Sequence, residues 1–173
     1  KTPGGAQSIM AYESRPLGEI VRSVNKYSNN VMARQLFLAL DPVKPATEAG
    51  AARKIQSWSS GMKIGTSELV LENGSGLSRI ERITAQGMGK MLLSAWNSAV
   101  MPEFLASLPV AGNDGTLKKR LNNTSLAGRA HLKTGYLEGV RAIAGYVLDT
   151  QNQRWAVVFL INDPKSLQGK GAI

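Results

Sequence analysis

The C-terminal third of the chain contains three strand-like segments separated by short turns. The segments are residues 130–134, 140–148 and 154–161, and turn-forming residues occupy 135–139 and 149–153. Because connections this short join neighbouring antiparallel strands, the pattern predicts a three-stranded antiparallel meander. The fold must therefore contain an antiparallel sheet formed by the C-terminal part of the chain.

The first hundred residues are dominated by helical patterns. Pro16 begins one in which apolar residues recur at three- and four-residue spacing to about Lys26. A second helix is expected over 31–40, which leaves 27–30 as a polar corner whose Ser and Asn residues are suited to capping. Helices first and sheet second is the predicted order.

Two more helices and a long connection complete the predicted elements. Thr47 is expected to cap a helix that ends within 61–67, and Thr84 a helix that runs to about Val100 with one side buried. Residues 69–71 form a short extended segment. Residues 105–128 are predicted to be a long connection with one short basic helical turn.

Charge and composition narrow the classes of function. With 21 Lys and Arg against 12 Asp and Glu, the net charge is +9, which could attract nucleic acid, an anionic membrane surface or an acidic polymer. The basic residues are dispersed and aromatic residues make up 6% of the chain, so a base-stacking platform is not supported. We therefore predict no nucleic acid as partner, and a basic nucleic-acid-binding domain is kept as an alternative.

Metal, cofactor and membrane signals are lacking in the sequence. There is no cysteine and one histidine, His131, and no carboxylate cluster has metal-ligand spacing, so we predict neither a metal nor a cofactor. No stretch of about 18 apolar residues is present, so no transmembrane segment is predicted. His131 has no nucleophile elbow to serve and is expected on the surface of a strand.

Two short motifs are suited to serine acyl transfer. Ser28 and Asn30 lie at the helix corner, and Lys133, Thr134 and Gly135 end the first strand of the meander. A serine acyl-enzyme that works without histidine needs lysine amines and a second hydroxyl to move protons, and neighbouring cations can lower a lysine pKa. Each motif alone is weak, because Ser28 could be a helix cap and Lys-Thr-Gly a strand-end turn.

Four longer stretches strengthen this interpretation: residues 23–30, 72–79, 108–117 and 133–140. They resemble the penicillin-binding protein 4 type of D-alanyl-D-alanine carboxypeptidase/endopeptidase, the class C low-molecular-mass penicillin-binding proteins, over residues 15–162. The resemblance implies the α/β (α+β) fold of penicillin-binding proteins and β-lactamases, an antiparallel sheet with helices on both sides. Residues 1–173 would be the C-terminal portion of one such domain, its helical part plus three strands.

The resemblance also implies roles for individual residues. Ser28 and Lys133 would handle protons, and Asn30 would position the substrate amide or the lysine of the nucleophile. Thr134 would bind the terminal carboxylate of the substrate, and Gly135 would let the substrate backbone approach the strand edge. In addition, Arg79 and Leu137 resemble substrate-contacting residues at the border of the cleft.

One part of the family pattern is expected outside this chain. The family's Ser-x-x-Lys motif, which holds the nucleophile, lies far upstream of Ser-x-Asn. The literal matches here, Ser23 to Lys26 and Ser60 to Lys63, are in the wrong contexts. We therefore expect the nucleophile-bearing portion to be absent and the chain alone to be inactive. The family also continues past the last strand with a helix that packs on the sheet, whereas 163–173 is polar and Gly-rich, so we expect the chain to be truncated at both ends.

The implied activity is removal of the terminal D-alanine from peptidoglycan stem peptides through an acyl-enzyme that β-lactams trap. The resemblance leaves open whether cleavage of carboxy-terminal residues or of cross-links predominates. The implied location is periplasmic or cell-wall associated. Expected partners are D-Ala-D-Ala stem peptides, β-lactams, the N-terminal portion of the protein and, through an unpaired sheet edge, a second copy. A catalytically silent scaffolding remnant is the remaining alternative.

Overall fold

Five α-helices precede a three-stranded sheet in the computed structural model, which describes residues 2–62, 64 and 69–166. The helices are α1 (Leu17–Tyr27), α2 (Asn30–Ala39), α3 (Glu48–Gly61), α4 (Ala85–Trp96) and α5 (Met101–Ser107). The strands are β1 (Ala130–Leu137), β2 (Val140–Leu148) and β3 (Arg154–Asn162), and a 3₁₀ turn spans Gly115–Leu117. The predicted order of helices followed by sheet is confirmed.

Side-chain caps begin three of the helices. Asn29 accepts a hydrogen bond from the Met32 N–H, and Thr47 and Thr84 accept from the N–H groups of Gly50 and Gly87. Each bond satisfies an N–H that has no partner inside the first helical turn. Both threonine caps were predicted from the sequence.

The predicted end of the Thr84 helix at about Val100 is wrong, because the helix stops short of it and a separate helix begins after Val100. α4 ends at Trp96, and α5 starts at Met101. Between them the Asn97 side chain donates to the Leu93 carbonyl and the Ser98 hydroxyl to the Ala95 carbonyl, which compete with helical hydrogen bonds. Pro102 in the first turn of α5 is compatible with a helix start, where its missing N–H costs nothing.

The strands form the predicted antiparallel meander in the order β1-β2-β3. β1 extends to Leu137, so the first turn is limited to Glu138 and Gly139 instead of the predicted 135–139. Gly139 has a φ of 73°, which glycine adopts at little cost. The predicted extended segment at 69–71 is reduced to one bridge, between Val70 and Arg82. Part of the predicted 61–67 helix end and the end of the chain lie outside the described residues.

Each face of the sheet contributes to an apolar cluster. On one face Tyr146 packs with Leu92 of α4 and with Leu108, which follows α5. On the other face Leu132 packs with Leu117 of the 3₁₀ turn and with Ala111. The α-helices thus cover one face and the 111–126 connection the other, which agrees with the predicted mixed fold. On this second face Tyr136, Trp155 and Phe159 remain 55–59% exposed.

Candidate active site

The corner between α1 and α2 presents the Ser28 side chain. Ser28 follows the last residue of α1 and has a left-handed backbone, with φ 54° and ψ 48°. Its neighbour Asn29 is the N-cap of α2, and Ser28 is instead the C-cap of α1, where its backbone N–H donates to the Val24 carbonyl. The Ser28 hydroxyl is therefore available for a contact elsewhere.

That contact is with Lys133 on β1. Lys133 Nζ donates to Ser28 Oγ at 2.8 Å and to the Thr134 carbonyl at 3.0 Å. Burial lowers the pKa of the Lys133 amine, because a buried ammonium loses hydration. The direction agrees with the sequence expectation, but burial causes it instead of neighbouring cations.

Asn30 connects this corner to a glycine-rich loop. Its Nδ2 donates to the Ser75 carbonyl at 2.6 Å, which leaves Oδ1 unused by that bond. Gly74 and Gly76 have φ values of 66° and 79°, so the loop depends on residues that tolerate a left-handed backbone. Asn30 thus has the loop itself as a partner.

Glu81 binds the backbone of the glycine-rich loop. The sequence interpretation missed this residue. Its Oε1 accepts hydrogen bonds of 3.0–3.1 Å from the backbone N–H groups of Glu72, Asn73 and Gly74. No short motif signals a carboxylate seven to nine residues after the N–H groups that it binds. The loop that contacts Asn30 is nevertheless fixed by this single oxygen.

The outer edge of β1 forms one wall of the site. Leu132 N–H donates to the Pro109 carbonyl at 2.8 Å, and the Ala130 carbonyl accepts from Ala111 N–H at 2.9 Å. Because backbone groups alternate between the two sides of a strand, the N–H groups of Thr134 and Tyr136 point to this same edge. Within the described residues no strand lies beside them.

These parts enclose a groove of about 400 Å³. It brings together five of the seven predicted site residues, along with the glycine-rich loop: Ser28, Asn30, Lys133, Thr134 and Gly135, with 74–77 and Tyr136. The groove is open to solvent on one side, so an extended peptide could lie along β1.

The other two predicted residues lie in an adjoining groove of about 340 Å³. Arg79 and Leu137 both line it, at the hairpin end of β1. Arg79 Nη1 donates to the Glu138 carbonyl at 2.7 Å, and its guanidinium also faces the exposed Glu138 carboxylate. Arg79 therefore joins the loop after the glycines to the β1–β2 hairpin.

None of the described serine and lysine residues of the two literal Ser-x-x-Lys matches lines the groove. Ser23 Oγ donates to the Glu19 carbonyl, and Lys26 Nζ is bound by Leu108 O and Asp114 Oδ2, each at 2.6 Å. Ser60 is an exposed residue of α3, and Lys63 lies outside the described residues. The structure buries Lys26 in an ion pair with the part-buried Asp114 instead of placing it beside a nucleophile.

His131 departs from its expected surface position. It is half-buried on β1, with Nδ1 3.3 Å from the Leu105 carbonyl, and burial is the main cause of its lowered pKa. It packs against the end of α5 and does not line the groove.

The described ranges contain no group of three or more His, Cys, Asp or Glu that could hold a metal ion. None of the helices in these ranges combines the length and the apolar character needed to cross a membrane.

Comparison with known proteins identifies relatives for nearly the whole chain. The model of the D-Ala-D-Ala carboxypeptidase 3 (S13) family matches residues 1–172. A D-alanyl-D-alanine carboxypeptidase of Actinomadura sp. (strain R39) is 34% identical over 149 residues, which cover 82% of this chain and 28% of that protein. The DacB carboxypeptidase of Haemophilus influenzae is 29% identical, with 92% of this chain and 34% of that protein covered.

Solved structures agree in fold. The penicillin-binding protein 4 (dacB) of Haemophilus influenzae superimposes with a TM-score of 0.81 and 27% identity, covering 92% of this chain and 36% of that chain. A predatory peptidoglycan endopeptidase of Bdellovibrio bacteriovorus gives a TM-score of 0.63 and 26% identity, covering 90% and 39%. The predicted fold class is confirmed.

The chain spans about a third of the length of the curated relatives that it matches. The resemblance to the penicillin-binding protein 4 type of carboxypeptidase is confirmed by these sequence and structure matches. This chain belongs to the D-Ala-D-Ala carboxypeptidase 3 (S13) family.

Proposed function

We propose that this chain supplies the proton-handling wall of a serine-type D-Ala-D-Ala carboxypeptidase site that acts on peptidoglycan stem peptides and is acylated by β-lactams. The observation that carries the proposal is the 2.8 Å contact between Lys133 Nζ and Ser28 Oγ in a peptide-sized groove. The whole protein would act in the periplasm or at the cell wall. Its substrates would include cross-linked as well as free stem peptides.

The chemistry needs a proton donor at the leaving nitrogen. A serine Oγ would bond to the carbonyl carbon of the penultimate D-alanine as its proton passes to the lysine of the same Ser-x-x-Lys motif, outside these residues, and the C–N bond to the terminal D-alanine would break. Because Lys133 donates to Ser28 Oγ, the Ser28 proton is free to point into the groove. Ser28 passes that proton to the leaving nitrogen and takes one from Lys133, whose lowered pKa makes its ammonium a stronger acid.

Substrate placement follows from the edge of β1. The stem peptide would pair with the backbone N–H and C=O groups of Thr134 and Tyr136, and Gly135 offers no side chain to that approach. The Thr134 hydroxyl would bind the terminal carboxylate, and Asn30 would orient the substrate amide. Arg79 and Leu137 would contact the part of the substrate that extends into the adjoining groove.

The attacking serine would come from a portion of the protein outside these 173 residues, so that residues 1–173 form the C-terminal portion of one penicillin-binding domain. Support comes from the positions of Ser23, Lys26 and Ser60, none of which lines the groove. Substrate turnover would then require both portions.

Labelling with a fluorescent penicillin tests this proposal. No label is expected on the 173-residue chain, whereas the full-length protein should be labelled on a serine outside it. Ser28→Gly, which suits the left-handed backbone, and Lys133→Ala should each slow acylation by about 10²–10⁴-fold, the range of general acid–base catalysis.

Other outcomes would select the alternatives. Label on the isolated chain would contradict the external serine. A full-length protein that takes no label would be a scaffolding remnant, and salt-sensitive DNA binding unaffected by Lys133→Ala would indicate a nucleic-acid-binding domain.

A further inference from the structure

A buried lysine, two residues before Ser28, forms an ion pair with a part-buried aspartate. Lys26 is 5% exposed, and its Nζ donates to Asp114 Oδ2 and to the Leu108 carbonyl, both at 2.6 Å. Asp114 Oδ1 in turn accepts from the Val110 N–H at 2.8 Å. The pair therefore ties the last turn of α1 to the connection that follows α5.

Two further contacts press the same segments together. Asn25 Nδ2 donates to the buried Ser107 hydroxyl at 2.8 Å. At Gly115, whose φ is 56°, a Cβ atom would lie 2.6 Å from the Lys26 carbonyl oxygen, so only glycine permits this approach. The last turn of α1 is thus held by side-chain and backbone contacts to residues 107–115.

Ser28 needs such support, because its backbone conformation is unfavourable. A left-handed residue with a Cβ costs about 1–2 kcal/mol, and strained residues persist where their surroundings determine their geometry. Ser28 donates its own N–H to the Val24 carbonyl, inside the turn that the ion pair holds.

We propose that Lys26 and Asp114 are positioning residues, which fix the last turn of α1 and so keep the Ser28 hydroxyl against Lys133. The inference rests on the proposed function of Ser28 and adds the residues on which its placement depends. Neither Lys26 nor Asp114 lines the groove, so both act through Ser28.

A double-mutant cycle in the full-length protein tests this role. The acylation rate by a fluorescent penicillin is measured for wild type, Asp114→Asn, Ser28→Gly and the double variant. Asp114→Asn should slow acylation about ten-fold when Ser28 is present, because the Ser28 hydroxyl is then misplaced. In the Ser28→Gly background it should slow acylation less than about two-fold, because there is no hydroxyl left to misplace. An equal loss in both backgrounds would show a merely structural role and overturn the proposal.

The same four proteins give a second readout that does not depend on turnover. The rate of acetylation of the Lys133 amine, measured by mass spectrometry, should change in the same direction in both single variants. The double variant should change no further. Changes in the acetylation rate that add up in the double variant would contradict the positioning role. This holds even if the wild type takes no penicillin, a result that by itself would refute only the proposed function.

Two pairs of substitutions separate the positioning role from a loss of stability. Lys26→Met with Asp114→Leu removes the buried charge together with its part-buried partner, which leaves no unpaired ion and lets the variant fold. It should show the same loss of acylation and the same change at Lys133. The exposed pair Arg34–Glu48, also 2.6 Å long, provides the control, and Arg34→Met with Glu48→Leu should alter neither readout. If the control pair changes both readouts as much, the positioning role is refuted.

Discussion

Ser28 and Lys133 meet because each departs from what its residue type usually does. Ser28 leaves the capping of α2 to Asn29 and adopts a left-handed backbone. Lys133 places its amine in a half-buried groove instead of extending it to water. Both departures carry a cost in folding free energy, which is common where a site has been arranged for a reaction.

The buried amine of Lys133 predicts a pH dependence of stability. Its pKa is lowered below the ordinary value of 10.5, so between the two values the folded state has released a proton that the unfolded state still binds. The free energy of unfolding should therefore gain from this group as pH rises through that window. Below the lowered pKa the folded state bears the full cost of the buried charge.

Denaturant unfolding of Lys133→Met measures this effect. The difference in unfolding free energy between variant and wild type should favour the variant most at neutral pH and decrease as pH approaches 10.5. Lys90→Met on α4 removes the same charge from an exposed position and serves as control. A difference for Lys133→Met that does not vary with pH would contradict the role given to burial.

Among the elements around the groove, the glycine-rich loop is held by hydrogen bonds to one carboxylate. A single oxygen, Glu81 Oε1, binds three consecutive backbone N–H groups. The same loop supplies the Ser75 carbonyl that holds Asn30. A change at Glu81 should therefore reach the groove through the backbone of the loop.

Glu81→Ala should lower the free energy of unfolding by about 1–3 kcal/mol, because three N–H groups lose their acceptor. Amide hydrogen exchange at 72–74 should become faster than in wild type. Glu81→Gln keeps an acceptor oxygen and is the matched control, with a smaller effect expected on both measurements. Unchanged exchange in Glu81→Ala would exclude the proposed support.

Contacts between near neighbours were predictable from the sequence, and distant contacts were not. The caps of Thr47 and Thr84 bind N–H groups three residues away, so a short window contains both partners. The Lys26–Asp114 pair spans 88 positions, and no local pattern marks Lys26 as buried or Asp114 as its partner. Ser28 and Lys133 were brought together only by resemblance to a family, since periodicity carries no information about a contact between a helix corner and a distant strand.

Across the molecule as a whole, the described sheet has two edge strands, β1 along the groove and β3 on the opposite side. No strand within the described residues lies beyond β3, and Trp155 and Phe159, both on β3, are 55% and 59% exposed. An edge strand with unpaired backbone groups and apolar side chains invites pairing with another chain. The net charge of +9 opposes this association and should do so less at high salt.

We therefore expect the 173-residue chain to self-associate with increasing concentration, as measured by sedimentation or light scattering. Phe159→Lys, which places a charge on the edge strand, should shift it towards the monomer. Val31→Lys also replaces an exposed apolar side chain with a charge, but on α2, away from the sheet. It should leave the self-association unchanged. A monomer at every concentration would count against an exposed pairing edge.

The hydrogen bond between Lys133 and Ser28 joins residues 105 positions apart. Helices form and hairpins close through local encounters, whereas a contact of this separation must wait until a long loop has closed. The groove should therefore be among the last parts of the molecule to assemble during refolding. Only completely folded molecules of the full-length protein would then react with penicillin. During refolding, this reactivity should return later than the helical and sheet circular dichroism signals.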